Sequence, residues 1–154
     1  MPIVKTSVFL NKYLFRCFII YSLLDTDKTG TTVTAATNAG NIISENADKT
    51  DYEKLVAYKQ CICDLTDYNY EAIEPEYDGG YGDPWQMIWV FDGDADTKVV
   101  CEGYSKAMQY LCDNSSFSDD SIECHSVSDK MDGGDHMWNI MHMEDGNNYM
   151  VDIT

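Results

Sequence analysis

The run "VVCEGYSKAMQYLC" at residues 99–112 constrains the fold most, because a β-branched pair leads straight into an amphipathic helix. Its apolar side chains recur at the spacing of one helix face, at Tyr104, Ala107, Met108 and Leu111. This pattern predicts a helix from about Glu102 to Asp113. Cys101 lies at the mouth of that helix, where free N–H groups and the helix dipole favour a thiolate over a thiol. A cysteine there is either a nucleophile or a small buried apolar residue, and its partners decide between the two.

A thiolate nucleophile needs a base, and the base needs an acceptor that orients it. His136 opens "HMWNIM" and Asp152 lies in "YMVDIT", and the turn sequence "EDGNN" between them predicts a β-hairpin. A two-residue turn on the Asp-Gly pair would leave His136 on the opposite face of the sheet. A three-residue turn closed by Met143 and Asn147, or an equivalent bulge, would make His136 and Asp152 diagonal neighbours on one face, about 7 Å apart between Cβ atoms. The catalytic interpretation therefore predicts a hairpin loop with an odd number of residues, or a bulge.

Three blocks, "VVCEGYSKAMQYLC", "HMWNIM" and "DGNNYMVDIT", resemble in order the signature blocks of the transglutaminase-like superfamily. That family has a Cys-x-Gly-Tyr helix start, a His-x-Trp-Asn strand and an Asp-Gly-x-x-Tyr-x-Val-Asp-x-Thr hairpin return. The upstream "DYEKLVAYKQCICDLTDYNYEA" is similar to the family's leading helix and the Tyr-rich segment after it. The resemblance covers about residues 51–154, and three ordered blocks are more specific than one motif.

The resemblance implies an α+β, papain-like (cysteine proteinase) fold in which the helix of the nucleophile packs on an antiparallel sheet. Residue by residue, it implies that Cys101 is the nucleophile, His136 the general base and then acid, and Asp152 the residue that orients the imidazole. The backbone N–H of Cys101 would contribute to an oxyanion hole. Tyr70 and Gln86 are the two candidates for the side chain that completes it.

Two features depart from the family pattern. Met137 stands where the family usually has a small residue, which is expected to narrow the site. The chain stops two residues after Asp152, where family members commonly continue with further strands. The comparison therefore leads us to expect a core domain that is truncated at its C-terminus.

The activity implied is that of a thiol enzyme acting on amide bonds through an acyl-enzyme (thioester) intermediate, with a protein or peptide as substrate and no cofactor. Water as acceptor makes it a cysteine protease or amidase, and an amine as acceptor makes it a transglutaminase-like acyltransferase acting on glutamine. Peptide hydrolysis is slightly preferred, because no lysine-selecting feature is recognisable. The alternative is a non-catalytic surface module of the same fold that binds peptide or glycan.

The chain divides into three segments. Residues 1–24 interleave basic and apolar side chains, as in a weak export signal or anchor or an ordinary amphipathic helix. Their longest apolar run is too short to span a bilayer, so no stable membrane span is expected. Residues 25–50 lack periodicity and have the composition of a linker. Residues 51–154 form the core domain, and the export interpretation predicts a secreted or cell-surface protein.

Within the core domain, Thr50 and Glu53 form a capping-box pattern ahead of an apolar periodicity. This predicts a helix from about Asp51 to Leu65. The run "MIWVF" at residues 87–91 predicts one buried strand among long loops. The sequence after the second helix predicts short β structure that ends in the hairpin.

Charge restricts the partners. The chain has 10 basic and 27 acidic residues and a net charge of −17, which repels nucleic acid and anionic lipid. The acidic residues are scattered, so they predict a well-solvated surface rather than a cation-binding face. Neutral or cationic partners are therefore favoured.

Neither the cysteines nor the acidic runs indicate a metal site. Six cysteines are too few for a disulfide scaffold, and Cys112 and Cys124 are either a pair that closes a short loop or buried free thiols. The run "DGDADTKVVCEG" imitates a calcium loop but has Thr97 at the position that requires glycine and Gly103 at the position that requires glutamate. The spacing of Cys124 and the three histidines fits no common zinc pattern.

Overall fold

The structure, a computed structural model, describes residues 29–74 and 85–154. It belongs to the α+β class, which confirms the predicted class. The helices are α1 (Thr29–Glu45), α2 (Asp51–Leu65), α3 (Gln86–Phe91) and α4 (Cys101–Asp113), with a 3₁₀ turn at Tyr70–Ile73. The strands are β1 (Asp67–Tyr68), β2 (Lys98–Val99), β3 (Glu123–Met131), β4 (Gly134–His142) and β5 (Asn148–Val151). The segment 1–24, for which export was predicted, lies outside the described residues.

The strands form two sheets. Strands β3, β4 and β5 make an antiparallel meander, and β1 pairs in parallel with β2. A two-residue turn joins β3 to β4, with φ of 49° at Asp132 and 88° at Gly133. Asp-Gly is the dipeptide that tolerates two consecutive left-handed residues in such a turn. The predicted short β structure that ends in a hairpin is confirmed.

The turn between β4 and β5 has three residues, as the catalytic interpretation predicts. Met143 N–H donates to the Asn147 carbonyl over 3.0 Å, and Asn139 pairs with Val151. Gly146 has a φ of 78°, which supplies the left-handed residue that such loops need. If this register continues by one residue beyond Asn139 and Val151, Trp138 lies opposite Asp152. The predicted loop with an odd number of residues is confirmed.

One hydrophobic core joins the helices to the sheet. Its largest fully buried side chains come from α2, α3, α4 and β4, namely Tyr58, Ile62, Val90, Met108, Leu111 and Met141. Each such side chain contributes about 1.5–3 kcal/mol when it leaves water. Helix α4 supplies the largest share of this core and lies on the inner face of β3 and β4.

Helix α2 begins and ends where the sequence predicts. The side chain of Glu53 accepts a hydrogen bond from Thr50 N–H over 3.0 Å, and Glu53 N–H donates to the Thr50 hydroxyl. The carboxylate of the buried Asp51 accepts hydrogen bonds from Ser118 N–H, which ties the helix start to the loop after α4. The capping box therefore fixes the start of α2, and Asp51 anchors a loop that is distant in sequence.

The predicted linker was wrong for most of its length, because residues 29–45 form α1. Ala35 and Ala39 are fully buried in the common core, and the Asn38 amide donates to the Phe91 carbonyl of α3 over 2.8 Å. The contact face is built from alanine, which leaves almost no hydrophobic periodicity in the sequence. Helix α1 therefore packs in the same core as residues 51–154, so the boundary near Thr50 does not mark the edge of that core.

The predicted strand at 87–91 was also wrong, because Gln86–Phe91 is helical. Met87, Ile88, Val90 and Phe91 are all buried, since α3 lies between α1 and α4. Short apolar runs do not distinguish a buried strand from a buried helix. Of the helices in residues 29–74 and 85–154, none combines enough length and apolarity to cross a membrane.

Candidate active site

Helix α4 begins at Cys101, one residue before the predicted start. Val100 is the N-cap, and its side chain makes no capping hydrogen bond. Gly103 N–H already donates to the Val100 carbonyl over 2.9 Å, so the N–H groups of Cys101 and Glu102 are the ones that can face a negative charge. Cys101 is 5% exposed, so its sulfur lies at this helix start nearly out of water.

The hairpin brings His136 and Asp152 together. Nε2 of His136 lies 2.8 Å from Oδ2 of Asp152, and the two side chains are 18% and 25% exposed. The imidazole stacks on Trp138, with ring centroids 5.9 Å apart. The other carboxylate oxygen, Oδ1, accepts a hydrogen bond from the Thr154 hydroxyl over 2.8 Å. Both members of the pair are thus held in place by a second neighbour.

The ionisation state of Asp152 determines which ring nitrogen of His136 is free to accept a proton. Burial alone would raise the pKa of Asp152, but hydrogen bonds from His136 and Thr154 outweigh burial and hold that pKa below its usual value. An ionised carboxylate only accepts hydrogen bonds, so Nε2 of His136 carries the proton of the shared bond. The neutral imidazole then has its lone pair on Nδ1, which is the nitrogen left to take a proton from a thiol.

Helix α4 is fixed against β4 one turn beyond Cys101. The Ser105 hydroxyl donates to the Met137 carbonyl over 2.9 Å, and the Asn139 amide donates to the Ser105 carbonyl over 2.9 Å. Ser105 lies four residues after Cys101, on the same helix face. Met137 directly follows His136. These two bonds fix the second turn of α4 on β4 within three residues of His136, and no hydrogen bond joins Cys101 to His136 among the described residues.

The two candidates for the oxyanion hole have different surroundings. Gln86 is 8% exposed, and its Oε1 accepts a hydrogen bond from Val100 N–H over 2.9 Å, one residue before Cys101. That bond uses the acceptor of the carboxamide, and none of the described residues accepts a hydrogen bond from its Nε2. Tyr70 is 70% exposed and packs against Tyr68, with ring centroids 5.0 Å apart. Only Gln86 contacts the start of α4.

Sequence reasoning missed the roles of two hydroxyl side chains. Thr154 holds the Asp152 carboxylate, and the signal was its position two residues after an aspartate, where side chain and backbone can both donate. Ser105 fixes α4 on the sheet, and its spacing of one turn from Cys101 was the available signal.

Metal ligation receives no structural support in the described segments, which contain no group of three or more His, Cys, Asp or Glu side chains placed to hold an ion. The carboxylates of the calcium-like run serve their own loop instead. Asp92 accepts from Asp94 N–H over 2.8 Å, and Asp94 accepts from Asp96 N–H over 3.0 Å.

A groove of about 680 Å³ lies between α2 and the β4–β5 hairpin. Its walls are mainly apolar and include Leu55, Met108, Met141 and Val151. None of the three predicted catalytic residues lines it. Val151 directly precedes Asp152, but neighbouring residues of a strand point to opposite faces, so the groove is separate from the His136–Asp152 pair.

The sequence matches no protein-family model, and a search of curated proteins finds no match to it.

Proposed function

We propose that this protein is a Cys-His-Asp thiol enzyme with a papain-like core that acts on amide bonds through a thioester intermediate. The observation that carries the proposal is the 2.8 Å contact between His136 and Asp152, on the strand against which the helix of Cys101 is fixed. The contact arises only in the three-residue register of the hairpin. The resemblance of the three sequence blocks to the transglutaminase-like superfamily supports the same assignment.

The residues have the following roles in the proposed reaction. Nδ1 of His136 takes the proton of the Cys101 thiol, and the sulfur forms a bond to the carbonyl carbon of the substrate. The carbonyl electrons move to the oxygen, which accepts hydrogen bonds from the N–H of Cys101 and from Nε2 of Gln86. The C–N bond then breaks, the leaving amine takes the proton from His136, and a thioester remains on Cys101. Asp152 holds the imidazole throughout and stabilises its charged form.

The acceptor of the thioester defines the product. Water or an amine, deprotonated by His136, forms a bond to the acyl carbon, the C–S bond breaks, and the Cys101 thiolate takes the proton back from His136. Water thus gives a carboxylic acid, and an amine gives a new amide. We favour hydrolysis of a protein or peptide, since the sequence contains no recognisable lysine-selecting feature. The net charge of −17 favours neutral or cationic substrates. A secreted or cell-surface location belongs to the same proposal.

A two-readout assay tests this function. The protein is incubated with a glutamine-bearing protein and a fluorescent primary amine, and amine incorporation and peptide cleavage are measured together. Cleavage without incorporation assigns a peptidase, and incorporation assigns an acyltransferase. Cys101→Ala should abolish either signal, whereas Cys61→Ala, on the partly exposed side of α2, should retain it. Equal signals from the two variants would refute the proposed nucleophile.

A second candidate is a non-catalytic module of the same fold that binds peptide or glycan. The burial of Cys101, which is only 5% exposed, favours it, because a structural cysteine is usually buried. This candidate predicts that Cys101→Ala leaves ligand affinity unchanged and that no thioester can be trapped in the parent protein. Trapping a thioester by mass spectrometry after acid quench would eliminate it.

A further inference from the structure

Two cysteines distant from the candidate site face each other between α4 and β3. Ser126 of β3 donates through its hydroxyl to the Ser105 carbonyl over 3.1 Å, and its N–H donates to Oε1 of Gln109 over 2.8 Å. These bonds set the direction in which the helix runs along the strand. Cys112 lies three residues after Gln109 on the same face of α4, and Cys124 lies two residues before Ser126 on the same face of β3. The two cysteines therefore face each other.

Both residues are shielded from water in the same hydrophobic core, where Cys112 is 5% exposed and Cys124 is 3% exposed. A hydrogen bond to Cys124, together with burial, raises the pKa of the Cys112 thiol well above its ordinary value. In the folded protein the Cys112 thiol is therefore protonated, and burial makes both cysteines slow to react with reagents in solution.

We propose that Cys112 and Cys124 are a disulfide-forming pair that closes when the chain folds in the presence of a disulfide oxidant. The thiolate of one cysteine attacks the oxidant, here glutathione disulfide, which gives a mixed disulfide and releases one glutathione thiol. The second cysteine loses its proton and displaces the other glutathione, so two protein thiols become one disulfide and one glutathione disulfide becomes two thiols. Closure occurs during folding or transient opening, since the folded core shields both sulfurs.

The bond would tie the last turn of α4 to the start of β3. It would enclose the loop that Asp51 anchors through Ser118 and would restrict the unfolded chain more than the folded one. Cys101 lies at the opposite end of α4 and keeps its free thiol. The inference therefore does not depend on the proposed catalytic function.

The test uses the full chain without substitution. The protein is refolded in glutathione buffers of increasing oxidising strength, alkylated under denaturing conditions and digested with chymotrypsin, which cuts after Phe117 between the two cysteines. We expect non-reducing mass spectrometry to find the peptides of Cys112 and Cys124 linked, and Cys101 alkylated. We also expect the Tm of the oxidised protein to exceed that of the same sample after reduction by about 5–10 °C.

Two variants complete the test. Cys61→Ala should retain the linked peptides and the difference in Tm, and Cys112→Ala should lose both. The proposal is overturned if Cys112 and Cys124 remain alkylatable after refolding in the most oxidising buffer, if they pair with other cysteines, or if the oxidised protein melts at or below the temperature of the reduced one.

Discussion

Replacement of Gly103 by alanine tests how the first turn of α4, which begins at Cys101, packs against β2. A Cβ built at Gly103 would lie 2.6 Å from Cβ of Val99 and 2.7 Å from Cγ2 of the same side chain. Carbon atoms pack at about 3.5–4.0 Å, so both contacts overlap strongly. Val99 is fully buried and belongs to β2, which pairs with β1, and it therefore cannot move aside without disturbing that pairing.

The expected free energy follows from two opposing effects. Overpacking of a core costs about 1–3 kcal/mol, and an overlap of this size places the cost near about 3 kcal/mol. Alanine in place of glycine within a helix adds about 0.5–1 kcal/mol to the free energy of unfolding. The Gly103→Ala variant should therefore lose about 2 kcal/mol of unfolding free energy, and it should shift Cys101, two residues away.

Gly40→Ala is the matched control. Gly40 lies within α1, is exposed, and has nothing within 4 Å of a Cβ built there. That substitution should stabilise the protein by about 0.5–1 kcal/mol. Urea unfolding followed by circular dichroism gives both values if the slope of the transition is unchanged. A Gly103→Ala variant that unfolds at the urea concentration of the parent or above would refute the reasoning.

Three further predictions concern single polar side chains. Burial raises the pKa of Asp113 from 3.8 to about 6, so its stabilising contribution is complete below pH 3.8 and is lost as the pH rises through about 6. Asp113→Asn should therefore raise the unfolding free energy by about 1–2 kcal/mol at pH 8 and hardly at pH 4, as urea titrations at the two pH values would reveal. Asn139 is fully buried and donates to the Ser105 carbonyl, so Asn139→Asp, which sets a carboxylate oxygen against that carbonyl, should cost about 3 kcal/mol or more in thermal unfolding at neutral pH. Thr154→Val removes the hydroxyl that holds Asp152, and it should slow alkylation of Cys101 several-fold while leaving the Tm unchanged.

The sequence was informative where local chemistry determines the structure. The capping box predicted the bounds of α2, and the face containing Tyr104 and Leu111 predicted α4 to within one residue. The hairpin was predictable because only two registers were available and only one set His136 and Asp152 on the same face.

Prediction failed where tertiary packing outweighs local preference. Helix α1 buries alanines, whose small side chains produce no visible apolar stripe, and its threonines are weak helix formers. Helix α3 has six residues, of which the last five are apolar, and other elements surround it, so neither helical nor strand periodicity could appear in it. The contacts of Ser105 and Thr154 depend on how α4 and the hairpin meet the sheet, which no single segment encodes.

The most direct test of the account is the order in which the six cysteines react with an alkylating agent at pH 6, measured by peptide mass spectrometry. Among the five cysteines that the structure describes, Cys61 and Cys63 are partly exposed and Cys101 is buried, so labelling of these five by exposure alone would begin on α2. If Cys101, His136 and Asp152 form one site, Cys101 reacts first despite its burial, and in His136→Ala it falls behind Cys61 and Cys63. Labelling that follows exposure in the parent, with no change in His136→Ala, would contradict the account.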